Sequence, residues 1–286
     1  MLVSGTRILE VANEHNFAIP AFNISDWSMF VGIMETCEKE GSPLIVAIHP
    51  DEVSHVTGAF LPSVLARAQA SRVPVAVHWD HGATPEQAIR AIQLGFTSVM
   101  IDASMQPFDE NVAITKQVVE IAHAVGVSVE GELGTIGKTD SYAEAGADNI
   151  IYTEPDEAAT FVAQTGVDSL AIAIGTRHGI YPAHLKPELK LDLLVDIKKA
   201  APLPLVLHGG SNNPDEEIGI AVKKGINKVN ISSDIKVAYY NKMREVLQDL
   251  EIREPNAIQP ACIAAMNEEA VHKIRLFGSN DKVSLY

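Results

Sequence analysis

The sequence predicts a (β/α)8 TIM barrel, an α/β fold that forms a single domain over residues 1–286. Eight short apolar or β-branched runs alternate with stretches of helical periodicity along the whole chain, which favours a parallel sheet. The runs are almost continuously apolar, as expected for strands covered on both faces. Eight such strands, each followed by a helix and with no linker between them, favour a closed barrel over an open sheet.

Turn and capping residues set the bounds of the predicted elements. Helical periodicity covers 86–94 and 111–124, where Thr84 is an N-cap, Pro85 starts the first helix and Gly95 ends it. Glycine and proline cluster at the ends of elements, which is consistent with short connections. The eight strands are predicted at 18–24, 43–49, 73–80, 98–102, 128–133, 169–174, 203–209 and 228–233.

Composition excludes several classes of partner. The net charge is −15, from 22 basic and 37 acidic residues, and such a field repels nucleic acid and anionic membrane surfaces. An anionic ligand would therefore need a local group that binds it, such as backbone N–H groups or a metal ion.

No apolar run has the roughly 18 residues of a membrane span, and the N-terminus lacks the pattern of a signal peptide. Cys37 and Cys262 are isolated, which favours a cytoplasmic location.

Histidines collect at the predicted C-terminal ends of the strands, where barrel enzymes place their active sites. His81, His178 and His208 follow three different strands, and glycine comes directly after each of them. Three imidazoles that converge on one mouth are a typical ligand set for catalytic zinc, which keeps an open coordination position. The alternative interpretation is that each histidine only caps its strand with a hydrogen bond.

Other polar residues share these strand ends. Asp80 adjoins His81 and could relay a proton to or from a substrate hydroxyl, or else support a ligating histidine. His78 lies on the same strand face as Asp80 and could orient a neighbour or be a hydrogen-bonded core residue. His49, at the end of the second strand, could face the same mouth.

A phosphate site is predicted after the last two strands, where barrel enzymes frequently bind phosphate on loop amides and a helix N-terminus. Backbone donors there would hold an anion without a basic patch. Taken alone, the glycine–glycine–serine run reads equally well as a turn. The segments that form the predicted site are Gly209-Gly210-Ser211 and Asn230-Ile231-Ser232-Ser233.

Lysine is absent from the predicted strand ends. An enzyme that stabilises a carbanion next to a carbonyl without a metal can use a lysine Schiff base, ordinarily at a shielded barrel position. Here Lys228 begins the eighth predicted strand and Lys138 lies in a long loop. A metal is therefore the better candidate for the electron sink.

The chain resembles the class II fructose-bisphosphate and tagatose-bisphosphate aldolases, from residues 20–23 (PAFN) to 275–279 (RLFGS). Six motifs carry the resemblance and occur in the same order as in the family. They are HWDHG (78–82), IDASMQPFDENV (101–112), SVEGELGTIG (128–137), GTRHG (175–179), LVLHGGS (205–211) and KVNISSDIK (228–236).

The resemblance implies a mechanism and a set of site residues. One Zn²⁺ per subunit would be held by His81, His178 and His208, with Glu132 as an alternative ligand or a supporting group. Zinc would polarise the ketose carbonyl, and Asp80 would take the proton from the hydroxyl at the cleaving bond to leave an enediolate. The dihydroxyacetone phosphate half would lie on Gly179, Gly209, Ser211, Asn230 and Ser233. A monovalent cation (Na⁺ or K⁺) would lie at Gly179, Gly209 and Ser232.

Several positions depart from the family pattern around the aldehyde half. Arg177 stands where relatives more often have a small residue, and His49 stands where they often carry a small hydroxyl residue. HGGSN replaces the commoner HGASG, and Ser233 replaces threonine. The irregular stretch 134–149, interpreted as a lid, keeps only Asp140 of the usual acids for the second proton transfer.

These departures predict an aldehyde partner other than glyceraldehyde 3-phosphate. The guanidinium of Arg177 could recognise a carboxylate on that aldehyde, or it could form a surface or intersubunit ion pair. The resemblance implies a phosphorylated sugar as the small-molecule partner and a homo-oligomer, either a dimer or a tetramer. The alternative functions are a metal-dependent phosphosugar epimerase or isomerase and a non-catalytic subunit with an aldolase fold.

Overall fold

The computed structural model describes residues 1–139, 149–182 and 187–286. Eight parallel strands close into one barrel in the order β1-β10-β9-β7-β5-β4-β3-β2, which confirms the predicted (β/α)8 fold. β6 and β8 form a separate two-stranded sheet. The strands are β1 Ile19–Asn23, β2 Leu44–Ile48, β3 Val75–Gly82, β4 Ser98–Ile101, β5 Ser128–Leu133, β6 Gly137–Lys138, β7 Ser169–Ile172, β8 Arg177–His178, β9 Leu205–Leu207 and β10 Ile226–Ile231.

Helices cover the outside of the barrel, and their ends carry the expected capping residues. The Thr84 hydroxyl accepts from the N–H of Gln87, and Gly95 ends the same helix at φ 97°. The helices in the described residues are α1 Gly5–Glu14, α2 Trp27–Glu40, α3 Pro50–Val56, α4 Leu61–Gln69, α5 Pro85–Leu94, α6 Phe108–His123, α7 Pro155–Thr165, α8 Leu191–Ala200, α9 Asp215–Lys223, α10 Ser233–Val246 and α11 Pro255–Leu276. None of them is both long and apolar enough to cross a membrane.

Two apolar layers hold the barrel together. The larger layer lies between the strands and the surrounding helices, which explains why the strands are buried on both faces. The smaller layer lies inside the barrel, where Ile8, Leu9 and Ala12 of α1 pack against Ile19 and Ala76 of the strands. Helix α1 therefore closes the N-terminal end of the barrel, while the other end stays open for a site.

The last two barrel strands differ in extent from the prediction. β9 is shorter than 203–209 because Pro204 has no N–H to donate and Gly209 turns the chain at φ 62°. β10 begins at Ile226, so Lys228 lies within the strand with its side chain buried rather than at the strand's start. Asp140 and most of the stretch interpreted as a lid lie outside the described residues.

The packing of α1 generates a stability prediction. Gly5 donates its N–H to the hydroxyl of Ser128 over 2.9 Å, and a Cβ at Gly5 would lie 2.5 Å from that oxygen and 2.7 Å from the hydroxyl of Ser98. We expect Gly5→Ala to lower the free energy of unfolding by about 1–3 kcal/mol, because a methyl group overpacks this contact. Urea denaturation measures the change.

Gly219→Ala is the matched control. Gly219 lies inside α9, and a Cβ there would meet only the Leu276 side chain at an ordinary 3.6 Å. Alanine in this helix interior should leave stability unchanged or raise it by roughly 0.5–1 kcal/mol. Equal unfolding midpoints for Gly5→Ala and the unaltered protein would show that α1 is not tightly packed.

Candidate active site

A cavity of about 100 Å³ opens at the C-terminal end of the barrel. It brings together every predicted metal, catalytic and phosphate residue except Glu132 and Gly210. Two of its residues, Asn23 and Lys236, are not among the predicted site residues. The cavity is lined by Asn23, Asp80, His81, His178, Gly179, His208, Gly209, Ser211, Asn230, Ser232, Ser233 and Lys236.

The end of β3 has an irregular backbone. The pairing of β3 with β4 shifts register between Trp79 and Gly82, and His81 has a φ of 55°. In a regular strand Asp80 and His81 would point to opposite faces. Both instead line the cavity, because the irregularity turns His81 inward. A non-glycine residue at positive φ is strained, and such strain is typical of functional sites.

The three histidines place one nitrogen each within 4.8 Å of the others, close enough to share a metal ion. The Nε2 of His81 lies 2.9 Å from the Nδ1 of His208. The other ring nitrogen of His81 lies 3.1 Å from a carboxylate oxygen of Asp102, and that of His208 lies 2.7 Å from Glu130. These carboxylates accept hydrogen bonds from the rings and fix their orientation. The two facing nitrogens then carry lone pairs directed at each other, so a proton or a metal ion is needed between them.

The electrostatics of this pair favour a cation between the rings. Burial opposes protonation of His81, but its hydrogen bond to Asp102 and the charge of Asp80 raise its pKa to about 10. Burial and the neighbouring His81 charge lower the pKa of His208. His81 and His208 are therefore not both protonated, and at least one of the two facing nitrogens keeps its lone pair. A divalent metal ion would meet two imidazole lone pairs with His178 beside them, so the donor set fits zinc.

Glu132 of β5 lies near His81. With Asp102 and His81 it forms a second group whose ligand atoms lie within 4.8 Å of one another. Among the described residues no hydrogen-bond partner reaches its buried Oε2. Burial and the Asp102 charge hold the pKa of Glu132 well above its usual range. A buried oxygen without a partner beside His81 fits the predicted role as an alternative ligand.

Asp80 is held by two amides. Asn23 donates to one of its oxygens over 2.7 Å, and Asn230 donates to the other over 3.0 Å. Burial would raise the pKa of Asp80, but the charges of His81, His208 and Lys228 hold it well below its usual range. Asp80 is therefore an ionised acceptor with a fixed orientation. Asn23 could have been found as the one polar residue within the apolar run 18–24.

A buried polar chain supports the site from inside the barrel. Lys228 donates to Glu130 over 2.7 Å, and the other Glu130 oxygen accepts from His208. The Nζ of Lys228 also lies 3.3 Å from His78, whose other nitrogen contacts Ser98. Burial and the Lys228 charge lower the pKa of His78 to about 3, so His78 is neutral. Of the two interpretations of His78, the hydrogen-bonded core residue fits these contacts.

The opposite end of the cavity presents hydroxyl and backbone groups. Helix α10 begins at Ser233 and directs its N-terminus at the cavity, a favourable arrangement for an anion. The Ser211 hydroxyl accepts from the N–H groups of Ser232 and Asp234, each over 3.3 Å, which joins the loop after β9 to this helix. Gly210 does not line the cavity, because its N–H bonds to the carbonyl of Asn230.

The two specificity candidates lie outside the cavity lining. The guanidinium of Arg177 lies so close to Gly137 of β6 that a Cβ there would be 2.5 Å from its Nη1. His49 caps α3, and its ring centre lies 6.3 Å from that of His81. Lys236 lines the cavity from the first turns of α10 and contacts Glu52 over 3.0 Å. Its spacing of three residues from Ser233 on one helix face is the signal that could have revealed it.

Comparison with known proteins agrees with this fold and identifies the family. The family model described as class II fructose-bisphosphate aldolase matches residues 3–282. A fructose-bisphosphate aldolase from Thermus caldophilus is 38% identical and is aligned over 98% of this chain and 99% of its own length. A 6-phospho-5-dehydro-2-deoxy-D-gluconate aldolase from Bacillus licheniformis is 37% identical, with 98% and 96% covered.

A solved structure extends the likeness to three dimensions. The crystal structure of the YdjI aldolase from Escherichia coli K12 superposes with a TM-score of 0.88 at 35% sequence identity, covering 99% of this chain and 100% of that one. Sequence and fold thus agree over nearly the full length. The chain belongs to the class II fructose-bisphosphate aldolase family, and it is an aldolase, a carbon–carbon lyase that acts on ketose phosphates.

Proposed function

We propose that this enzyme is a zinc-dependent aldolase that cleaves or forms a ketose 1-phosphate, with dihydroxyacetone phosphate as the three-carbon partner. The carrying observation is the pair of facing nitrogens on His81 and His208, each fixed by a carboxylate and completed by His178. One zinc ion held there would act as a Lewis acid toward the ketose carbonyl. A cytoplasmic location and a homo-oligomeric state stay predictions.

Asp80 would move the proton. Its two oxygens accept from Asn23 and Asn230, so the carboxylate is held at the cavity wall in its ionised form. In the cleavage direction it takes the proton from the hydroxyl on the carbon that becomes the aldehyde, and in condensation it returns that proton. The adjoining His81 keeps this group beside the metal position.

The phosphate would lie at the end of the cavity formed by the loop after β9 and the start of α10. Backbone N–H groups at the α10 N-terminus favour an anion, and the Ser211 and Ser233 hydroxyls line the same cavity. This local arrangement explains how a protein of charge −15 could hold a phosphate. Gly179, Gly209 and Ser232, the predicted monovalent cation site, line the cavity as well.

The aldehyde half is proposed to differ from glyceraldehyde 3-phosphate and to carry a carboxylate. Relatives named for fructose bisphosphate and for a phosphorylated sugar acid are almost equally similar to this chain, so overall identity does not select the aldehyde. Arg177 directly precedes His178, and a guanidinium binds a carboxylate through two parallel hydrogen bonds. Arg177 is thus the candidate for this recognition, together with His49, whose ring centre lies 6.3 Å from that of His81.

Cleavage should depend on zinc. We expect the zinc-loaded enzyme to release dihydroxyacetone phosphate from one or more members of a panel of ketose 1-phosphates that includes hexose bisphosphates and carboxylate-ended sugars. A chelator should abolish this release and added Zn²⁺ should restore it, because the Lewis acid is removed and replaced. Conversion to an isomeric sugar phosphate would favour the epimerase, and no reaction at all would favour the non-catalytic subunit.

Asp80→Asn should remove the proton acceptor while leaving the metal in place. We expect kcat for cleavage to fall by roughly 10²–10⁴-fold, with the zinc content measured by elemental analysis unchanged. Asp109→Asn is the control, because Asp109 is exposed in the first turn of α6 and its loss should leave kcat unchanged. Near-normal turnover in Asp80→Asn would assign the proton to another group.

Arg177→Ala should reduce activity on acidic aldehydes more than on neutral ones. We expect kcat/KM in the condensation direction to fall by about 10-fold or more for a carboxylate-bearing aldehyde, since a charged hydrogen-bonded pair contributes about 1.5–3 kcal/mol. Arg177→Lys keeps the charge but loses the planar pair of donors, so its loss should be intermediate. Equal losses on both classes of aldehyde would contradict the proposal.

A further inference from the structure

Asn212 occupies a left-handed backbone position in the loop after β9, with a φ of 57°. The commoner HGASG pattern of the family has glycine at this place, and asparagine is one of the few other residues that tolerates it. Asparagine adds an acceptor and a donor that glycine lacks. We propose that Asn212 is a positioning residue which ties the phosphate-binding loop to the segment that carries the zinc ligand His178.

On one side, Asn212 is anchored to the helices behind the cavity. Its backbone N–H donates to both carboxylate oxygens of Asp234, over 3.0 and 3.1 Å. Asp234 in turn accepts from the largely buried ammonium of Lys273 over 2.8 Å. The carboxylate is thus charge-paired and held in place on α10, so the Asn212 backbone has a fixed reference point.

On the other side, the side chain of Asn212 reaches residues 177–181, called the β8 segment because they begin with that strand. Its Oδ1 accepts from the N–H of Tyr181 over 2.8 Å, and the buried phenol oxygen of Tyr181 accepts from the N–H of Arg177 over 2.6 Å. Arg177 and Tyr181 bracket His178 in sequence. The amide of Asn212 therefore holds the backbone of Tyr181, and the phenol of Tyr181 holds the backbone of Arg177 at the other end of the loop.

The two segments are also in direct contact next to this tie. A Cβ on Gly209 would lie 2.6 Å from the carbonyl oxygen of Arg177 and 3.2 Å from the ring of His178. A displacement of the phosphate-binding loop would therefore be transmitted to His178. Without the Asn212 amide the β8 segment would lose one of its fixed points, and His178 would spend less time in the ligating position.

This inference rests on the proposed zinc site but not on the proposed substrate. Asn212→Gly keeps the left-handed backbone and removes only the side-chain tie. We expect zinc transfer from the loaded protein to a chromogenic chelator to become about tenfold faster, the lower end of the effect of removing a group that supports a ligand. Tyr181→Phe, which removes the phenol contact alone, should change the rate in the same direction.

Asn16→Gly is the matched control, because Asn16 is an exposed asparagine at φ 53°. Its zinc release should equal that of the unaltered protein, and the melting temperature of the metal-free Asn212→Gly protein should match that of this control. Identical zinc release from Asn212→Gly and Asn16→Gly would overturn the inference. A protein that holds zinc but cleaves no ketose 1-phosphate would contradict the proposed substrate. The difference in zinc release between Asn212→Gly and Asn16→Gly would still test the role of Asn212.

Discussion

The rest of the site depends on the pairing of the buried Glu130 carboxylate with Lys228 and His208. A charge inside a barrel is tolerated only when it is paired and hydrogen-bonded, and Glu130 meets both conditions through Lys228 and His208. Burial opposes its ionisation, but the Lys228 ammonium holds the pKa of Glu130 below its usual range. Because Glu130 is ionised, it accepts a hydrogen bond from the Nε2–H of His208, which leaves Nδ1 of that ring facing His81.

The carboxylates around the mouth differ in pKa because their surroundings differ. Asp80 accepts hydrogen bonds from two amides near cationic groups, which keep its pKa low, whereas Glu132 is buried beside Asp102 and its pKa lies well above the usual range. Asp102 orients His81 as Glu130 orients His208. Of these four carboxylates, Asp80 is the one that lines the cavity.

The barrel and most of the site could be predicted because both follow from the alternation of strands with helices along the chain. Runs of apolar residues gave the eight strands, and residues at their ends came together where the fold places its site. The inward turn of both Asp80 and His81 could not be predicted, since it requires a register shift that two-residue periodicity does not contain. The partnership of Glu130 and Lys228 was also missed, because it joins residues 98 positions apart in the sequence.

Helix α1, which fills the N-terminal end of the barrel, separates the part of the molecule that secures stability from the part that performs chemistry. Because α1 packs inside the N-terminal end, loops at the other end can differ while the apolar layer beneath them is unchanged. Exchange of the segments around His49 or Arg177 between relatives would test new aldehydes on an unaltered scaffold. With one end filled by α1, the barrel can keep its core while changes in the segments at the open end alter which aldehyde is accepted.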